Sequence, residues 1–139
     1  MRFLHVSARD NLASILANGL RQGAYLVIDD RTEISDHYAD TVTDEGKEPV
    51  VIEVDASRLP PENFAPDFNG IEEPLTHTLQ MTEDDVQQAW SGSGGTWLDS
   101  IELIGTCRYM NVIPAAFLHV PGEPAPEPKP VAVTRRARP

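Results

Sequence analysis

The run Val50-Val51-Ile52-Glu53-Val54 constrains this chain more than any other stretch of it. Four of its five residues are β-branched, which makes them stiff at χ1 and well suited to a pleated surface. It therefore predicts a strand, and the rest of the sequence supplies partners for it. Phe3-Leu4-His5-Val6 reads as a first strand and Ala24-Tyr25-Leu26-Val27-Ile28 as a second. Trp97-Leu98 and Ser100 to Tyr109 read as one or two more, and Phe117-Leu118-His119-Val120 as the last.

Helical spacing appears between these runs. Leu12, Ile15, Leu16 and Leu20 share one face, and Asn18-Gly19 supplies a stop. Ser7-Ala8-Arg9-Asp10 ahead of them has the form of a capping box. Asp30-Arg31-Thr32-Glu33 opens a second helix in the same way, with Ile34, Tyr38 and Val42 on its buried stripe. Glu45-Gly46-Lys47 ends it. Thr82-Glu83-Asp84-Asp85 caps a short third helix through Trp90. Residues 56–81 carry four prolines and Asn69-Gly70 without a clean period, and read as a long functional loop or irregular padding. Strands with two or three short helices predict an α+β domain with a split, mixed or antiparallel sheet.

Charge divides the chain unequally. Residues 121–139 hold six of the twelve prolines, with four basic residues against two acidic. They are expected to form an extended, disordered tail. Residues 1–120 carry seven basic residues against twenty acidic, a net charge of −13. That balance argues against non-specific nucleic-acid binding, which needs a basic surface. No run approaches the apolar length of a membrane span, and no signal peptide is visible, so a cytoplasmic protein is expected. Cys107 has no partner for a disulfide. His5, His37, His77 and His119 show no metal-ligand spacing, so no metal site is expected. There is no GxGxxG, no GxxxxGK[ST] and no GxSxG. Ser91-Gly92-Ser93-Gly94-Gly95 reads as a linker, and Trp90 and Trp97 as packing residues.

Glu102 stands out in its apolar surroundings. Alternation along a strand puts Ser100, Glu102 and Ile104 on one face and Ile101, Leu103 and Gly105 on the other. With the second face on the core, Glu102 would face solvent or a cleft.

The order of these elements resembles the ADP-ribosyltransferase superfamily. Leu4-His5-Val6-Ser7, the helix from Asn11 to Leu20, and Ala24-Tyr25-Leu26 are similar to its opening, a strand with His-x-Ser/Thr, a helix and a Tyr-bearing strand. Ser35-Asp36-His37-Tyr38 resembles the helical Ser-x-x-Tyr of the poly(ADP-ribose) polymerase branch. The stretch Ile104 to Pro114 is similar to the closing strands of bacterial members and of RNA 2′-phosphotransferases.

The resemblance implies a small ADP-ribosyltransferase-like domain over 1–120 with NAD as substrate. His5 would bond a ribose of NAD, and Ser7 the nicotinamide amide. Tyr25 and Tyr38 would flank the nicotinamide ring. Glu102 would be the catalytic acid, with Glu72 or Glu73 as the alternative. Arg9 and Arg21, which flank the proposed site in sequence, are the expected phosphate-side cations. The implied activity is mono-ADP-ribosyl transfer to an acceptor of unknown kind, protein, nucleic acid or small molecule, as in a toxin, a defence factor or a resistance enzyme. Two other functions stay open: a non-catalytic acidic binding module or inhibitor, and an NAD-dependent RNA 2′-phosphotransferase.

Overall fold

The computed structural model describes residues 1–122, so most of the expected proline-rich tail lies outside the described residues. The strands are β1 (Arg2–Ala8), β2 (Ala24–Ile28), β3 (Pro49–Asp55), β4 (Phe64–Pro66), β5 (Thr106–Tyr109) and β6 (Leu118–His119). They form one antiparallel sheet in the order β4-β5-β2-β1-β3-β6. Six α-helices accompany it among the described residues, rather than the two or three expected. They are α1 (Leu12–Asn18), α2 (Thr32–Asp44), α3 (Phe68–Glu72), α4 (Thr76–Leu79), α5 (Glu83–Ser91) and α6 (Trp97–Ile104). The domain is α+β, as its sequence predicts.

The β-branched run lies within β3, beside β1 near the middle of the sheet. Val50, Ile52 and Val54 are buried on one face with Phe3, Leu26, Cys107 and Tyr109. Leu12 of α1, Leu20 and Ile113 cover that face. On the opposite face Leu4 and Val27 pack on Ile34 of α2, with Tyr38 and Val51 beside them. Ile34 and Tyr38 of the stripe read for α2 therefore form its contact with the sheet, while Val42 is half-buried outside that cluster. A third cluster, Ile71, Val86 and Ile104, joins α3, α5 and α6.

Three sequence expectations change. Ser7 is a strand residue and caps nothing; its hydroxyl accepts from Asn11 Nδ2 at 3.4 Å. A turn of 3-10 helix at Arg9–Asn11 intervenes before α1, and neither α1 nor α2 has a side-chain N-cap. Residues 56–81 are not a structureless loop. Phe64–Pro66 pairs with β5, and aromatic packing fixes it: the Phe64 ring stacks on Trp97 at 4.4 Å and meets Tyr109 edge-on at 4.9 Å.

The largest change is at residues 97–104, which form helix α6 instead of a strand. Thr96 accepts from the Asp99 N–H while the Asp99 carboxylate accepts from the Thr96 N–H, a complete capping box. Gly105 ends the helix in the left-handed region at φ +77°. On a helix, residues two apart point in nearly opposite directions, so Ser100 is buried while Glu102 is exposed. Strand alternation therefore does not place Glu102. The box at Thr82–Asp85, by contrast, forms as read and starts α5.

The sheet is split in one place. β1 follows β3 along its whole length, from Arg2 opposite Asp55 to Ala8 opposite Pro49. β2 follows β5 from Ala24 opposite Tyr109 to Val27 opposite Thr106. Between β1 and β2 the register joins Phe3 to Ile28 and Leu4 to Val27. Beyond Leu4 the two strands follow different neighbours, and a cleft opens between them.

Candidate functional site

The cleft has one lobe on each face of the sheet. The α1-side lobe is a cavity of about 670 Å³ lined by His5, Ser7, Asn11, Arg21 and Gly23 among others. The α2-side lobe, about 430 Å³, is lined by His5, Tyr25, Tyr38, Asp67, Asn69 and Glu73 among others. Each volume lies in the range of small-molecule sites. His5 borders both lobes because it sits at the split.

His5 also bridges the diverging strands at one point. Its Nδ1 lies 2.8 Å from the carbonyl oxygen of Tyr25. A carbonyl only accepts, so Nδ1 carries the proton. Burial pulls the imidazole pKa below its ordinary 6.5, an effect larger than the opposing one of this hydrogen bond. At neutral pH the ring is uncharged and Nε2 keeps a lone pair, able to accept from a hydroxyl.

The lowered pKa has a consequence for stability. Above pH 6.5 the residue is neutral in both folded and unfolded chains. As pH falls below 6.5 the unfolded chain takes up the proton first, so stability drops until the lowered folded pKa is passed. Denaturant titrations between pH 7.5 and pH 5 are expected to show a smaller loss for His5→Gln than for the wild type. An equal loss would contradict the burial of a neutral ring.

The two tyrosines share the α2-side lobe. The Tyr25 hydroxyl accepts from Asn69 Nδ2 at 2.6 Å, and the Arg108 guanidinium lies over its ring at 4.7 Å. Arg108 Nε is in turn fixed to the carbonyl of Gly23 at 3.1 Å. Tyr38 comes from α2. Burial first, then the charges of Asp67 and Tyr25, push its phenol up to about 12, so it stays a neutral hydroxyl.

Of the expected phosphate-side cations, Arg21 lines the α1-side lobe, is exposed, and forms no ion pair among the described residues. Arg9 does not line either lobe; its Nε meets Glu48 Oε2 at 2.7 Å. Glu102 does not line them either, because α6 carries it on its exposed side. Glu72, the last residue of α3, is also outside both lobes, whereas Glu73 borders the tyrosine lobe. Of the carboxylates considered from sequence, Glu73 is the one the fold brings to His5, Tyr25 and Tyr38.

Sequence reasoning missed Asp67. It is 1 % exposed and borders the tyrosine lobe. Its Oδ1 accepts from the Gly70 N–H at 2.9 Å and its Oδ2 from the Thr106 hydroxyl at 2.8 Å. Ser100 completes the network, accepting from the Asp67 N–H and donating to the Thr106 carbonyl at 2.7 Å. No ion pair compensates Asp67 among the described residues. Its one local signal is the placing of Asp three residues before Gly70, an N-cap pattern for α3. Thr106→Val, which keeps the shape and removes a donor to a buried carboxylate, is expected to cost about 2 kcal/mol in denaturant unfolding.

Cys107 is buried, and burial followed by the Asp67 charge raises its thiol to about 12, which leaves it unreactive. Among the described residues no three His, Cys, Asp or Glu side chains are grouped to hold a metal ion, and no helix is long and apolar enough to cross a membrane. Comparison of the chain with protein-family models, curated proteins and solved structures finds no match.

Proposed function

We propose that this domain is a small NAD-consuming mono-ADP-ribosyltransferase-like enzyme, with the split between β1 and β2 as its substrate cleft. The observation that carries the reading is His5, a neutral imidazole bordering both lobes. One lobe offers the flat faces of Tyr25 and Tyr38; the other offers the exposed Arg21 and Ser7, which lies away from the tyrosines and so on the diphosphate side rather than at the nicotinamide amide. A substrate with a cationic aromatic ring at one end and an anionic diphosphate beyond it matches that division of chemistry.

In this mechanism the tyrosines hold the nicotinamide ring and His5 Nε2 accepts from a ribose hydroxyl. Arg21 offsets the diphosphate charge. The glycosidic carbon–nitrogen bond breaks with its electron pair leaving on nicotinamide, which departs neutral. Glu73, in the ring lobe, stabilises the positive charge left on the ribose carbon and oxygen. A nucleophilic acceptor then bonds to that carbon and releases its proton to solvent. Glu73, the alternative acid, takes the role that the resemblance implied first for Glu102.

The test is to incubate the protein with NAD and candidate acceptors and to measure free nicotinamide. Release above the uncatalysed rate is expected, and its absence would overturn the reading. The exposed Glu83, Asp84 and Asp85 at the start of α5 favour a second reading, an acidic module that binds a basic protein. Such a module would show salt-sensitive capture of that partner and no thermal stabilisation by NAD. The enzyme would gain about 2.7 kcal/mol at a ligand concentration of 100 Kd.

A further inference from the structure

The buried carboxylate of Asp67 is unexplained by the fold alone. Removing an ionised carboxylate from water is costly unless a cation or a full set of donors replaces the water. A carboxylate offers about four acceptor positions. Asp67 has two donors, Gly70 N–H and Thr106 Oγ1–H, and no ion pair among the described residues. Closing α3 alone would not require a charge, since neutral Asn or Ser caps helices equally well.

What Asp67 borders gives the charge a use. Among the described residues no Lys or Arg lines the tyrosine lobe, and Arg108, which lies over the Tyr25 ring, does not border it. His5 there is held neutral by burial. The remaining polar groups include two phenols and a second carboxylate, Glu73. Apolar Val6, Val27, Val42 and Leu75 line the rest of the lobe and favour the flat faces of a ring over a hydrated ion. The field of Asp67 reaches this space, because it is one of the causes that raise the Tyr38 phenol.

We infer that Asp67 is a specificity-determining residue that makes the tyrosine lobe select a flat ring bearing a positive charge over the same ring uncharged. The inference rests on the proposed NAD cleft for the identity of the ring, which would be the oxidised, pyridinium form of nicotinamide. An aromatic pair alone accepts both forms, with only a modest preference for the cation. The fixed carboxylate distinguishes them, since the cation gains its attraction in a partly dehydrated lobe and the neutral ring does not. Asp67 is also held by atoms on three separate elements: Gly70 on α3, Thr106 on β5 and Ser100 on α6. Its position therefore does not depend on the ligand.

The experiment compares two probes of nearly the same ring, the 1-methylnicotinamide cation and neutral nicotinamide, by calorimetry on the full chain. Wild type is expected to bind the cation at least about tenfold more tightly. Asp67→Asn is expected to lower the preference for the cation at least about threefold, the remainder being held by Glu73 and the tyrosine faces, while leaving nicotinamide affinity within about twofold. Equal binding of both probes by wild type, or no binding of the cation, would overturn the inference. So would a preference undiminished in Asp67→Asn. Should that variant not fold, nuclear Overhauser contacts of the probe's methyl group in wild type decide. Contacts to Asp67 and Tyr38 are expected, and contacts confined to another site would overturn the proposal. A protein that prefers the cation but releases no nicotinamide from NAD would sink the enzyme reading and keep this one. Release of nicotinamide without the preference would do the reverse.

Discussion

Glu73→Gln is expected to slow nicotinamide release from NAD by about 10²- to 10³-fold, the range seen when one preorganised electrostatic group is removed from a transition state. The substitution keeps the side chain's size and polarity and removes its charge. Glu73 is exposed at the rim of the lobe, immediately after α3, and makes no ion pair among the described residues. Its loss is therefore not expected to disturb folding. Glu102→Gln, on the exposed side of α6, is expected to stay within about twofold of wild type. The pair separates two assignments of the acid. A large loss with Glu102→Gln and none with Glu73→Gln would place the chemistry elsewhere than the tyrosine lobe. NAD affinity should change less than turnover for Glu73→Gln, because its attraction grows as charge develops on the ribose.

Gly19→Ala is expected to destabilise the domain by about 2–4 kcal/mol, and more with a larger side chain. Two physical effects meet at this residue. Its φ is +83°, a conformation that costs an L-residue strain. A Cβ built there would overlap the carbonyl oxygen of Ile113 and lie 3.3 Å from the nitrogen of Ala115, both backbone atoms. That carbonyl accepts from the Leu20 N–H at 2.9 Å, and the Ile113 N–H donates back to Leu20 at 3.0 Å. The clash therefore falls on the bridge that ties the end of α1 to the closing segment. Gly46 is the control, with φ +81° and nothing within 4 Å of the added atom. Gly46→Ala is expected to cost only about 1 kcal/mol, the strain without the clash. Chemical denaturation of both variants checks this, and equal losses would show that the close approach to Ile113 is not what matters. Gly19, Leu20 and Val112 also line the α1-side lobe, so Gly19→Ala should weaken NAD binding as well.

The local signals of the chain were legible wherever neighbours within a few residues decided the outcome. The β-branched run became β3, Ala24–Ile28 became β2 without a change of boundary, and Thr82–Asp85 closed as a capping box. The misread stretch, 97–104, carried the same kind of signal. Thr96 and Asp99 have the spacing of Thr82 and Asp85, and Trp97, Ser100, Ile101 and Ile104 fall at helical intervals. Two isoleucines and an apolar setting resemble a strand just as well, and short apolar runs do not separate the two by periodicity. Residues 56–81 were opaque for another reason. The strand there is three residues long and exists because Phe64 finds Tyr109 and Trp97.

The sequence by itself determined the α+β class, the strands β1 to β3, the stripe of α2, and the presence of His5, Ser7, Tyr25 and Tyr38 near one another in order along the chain. These follow from side-chain shape and spacing over one or two turns. The tertiary structure alone decided where β1 and β2 part, that Glu73 rather than Glu102 joins the tyrosines, and that Arg21 borders the cleft while Arg9 faces Glu48. It alone surrounded Asp67 with Thr106, 39 residues away, and brought Asn69 to Tyr25 across 44 residues. A local pattern encodes a face or a cap. The field inside a cleft is a sum over charges and donors that only long-range pairing brings within a few ångströms of one another.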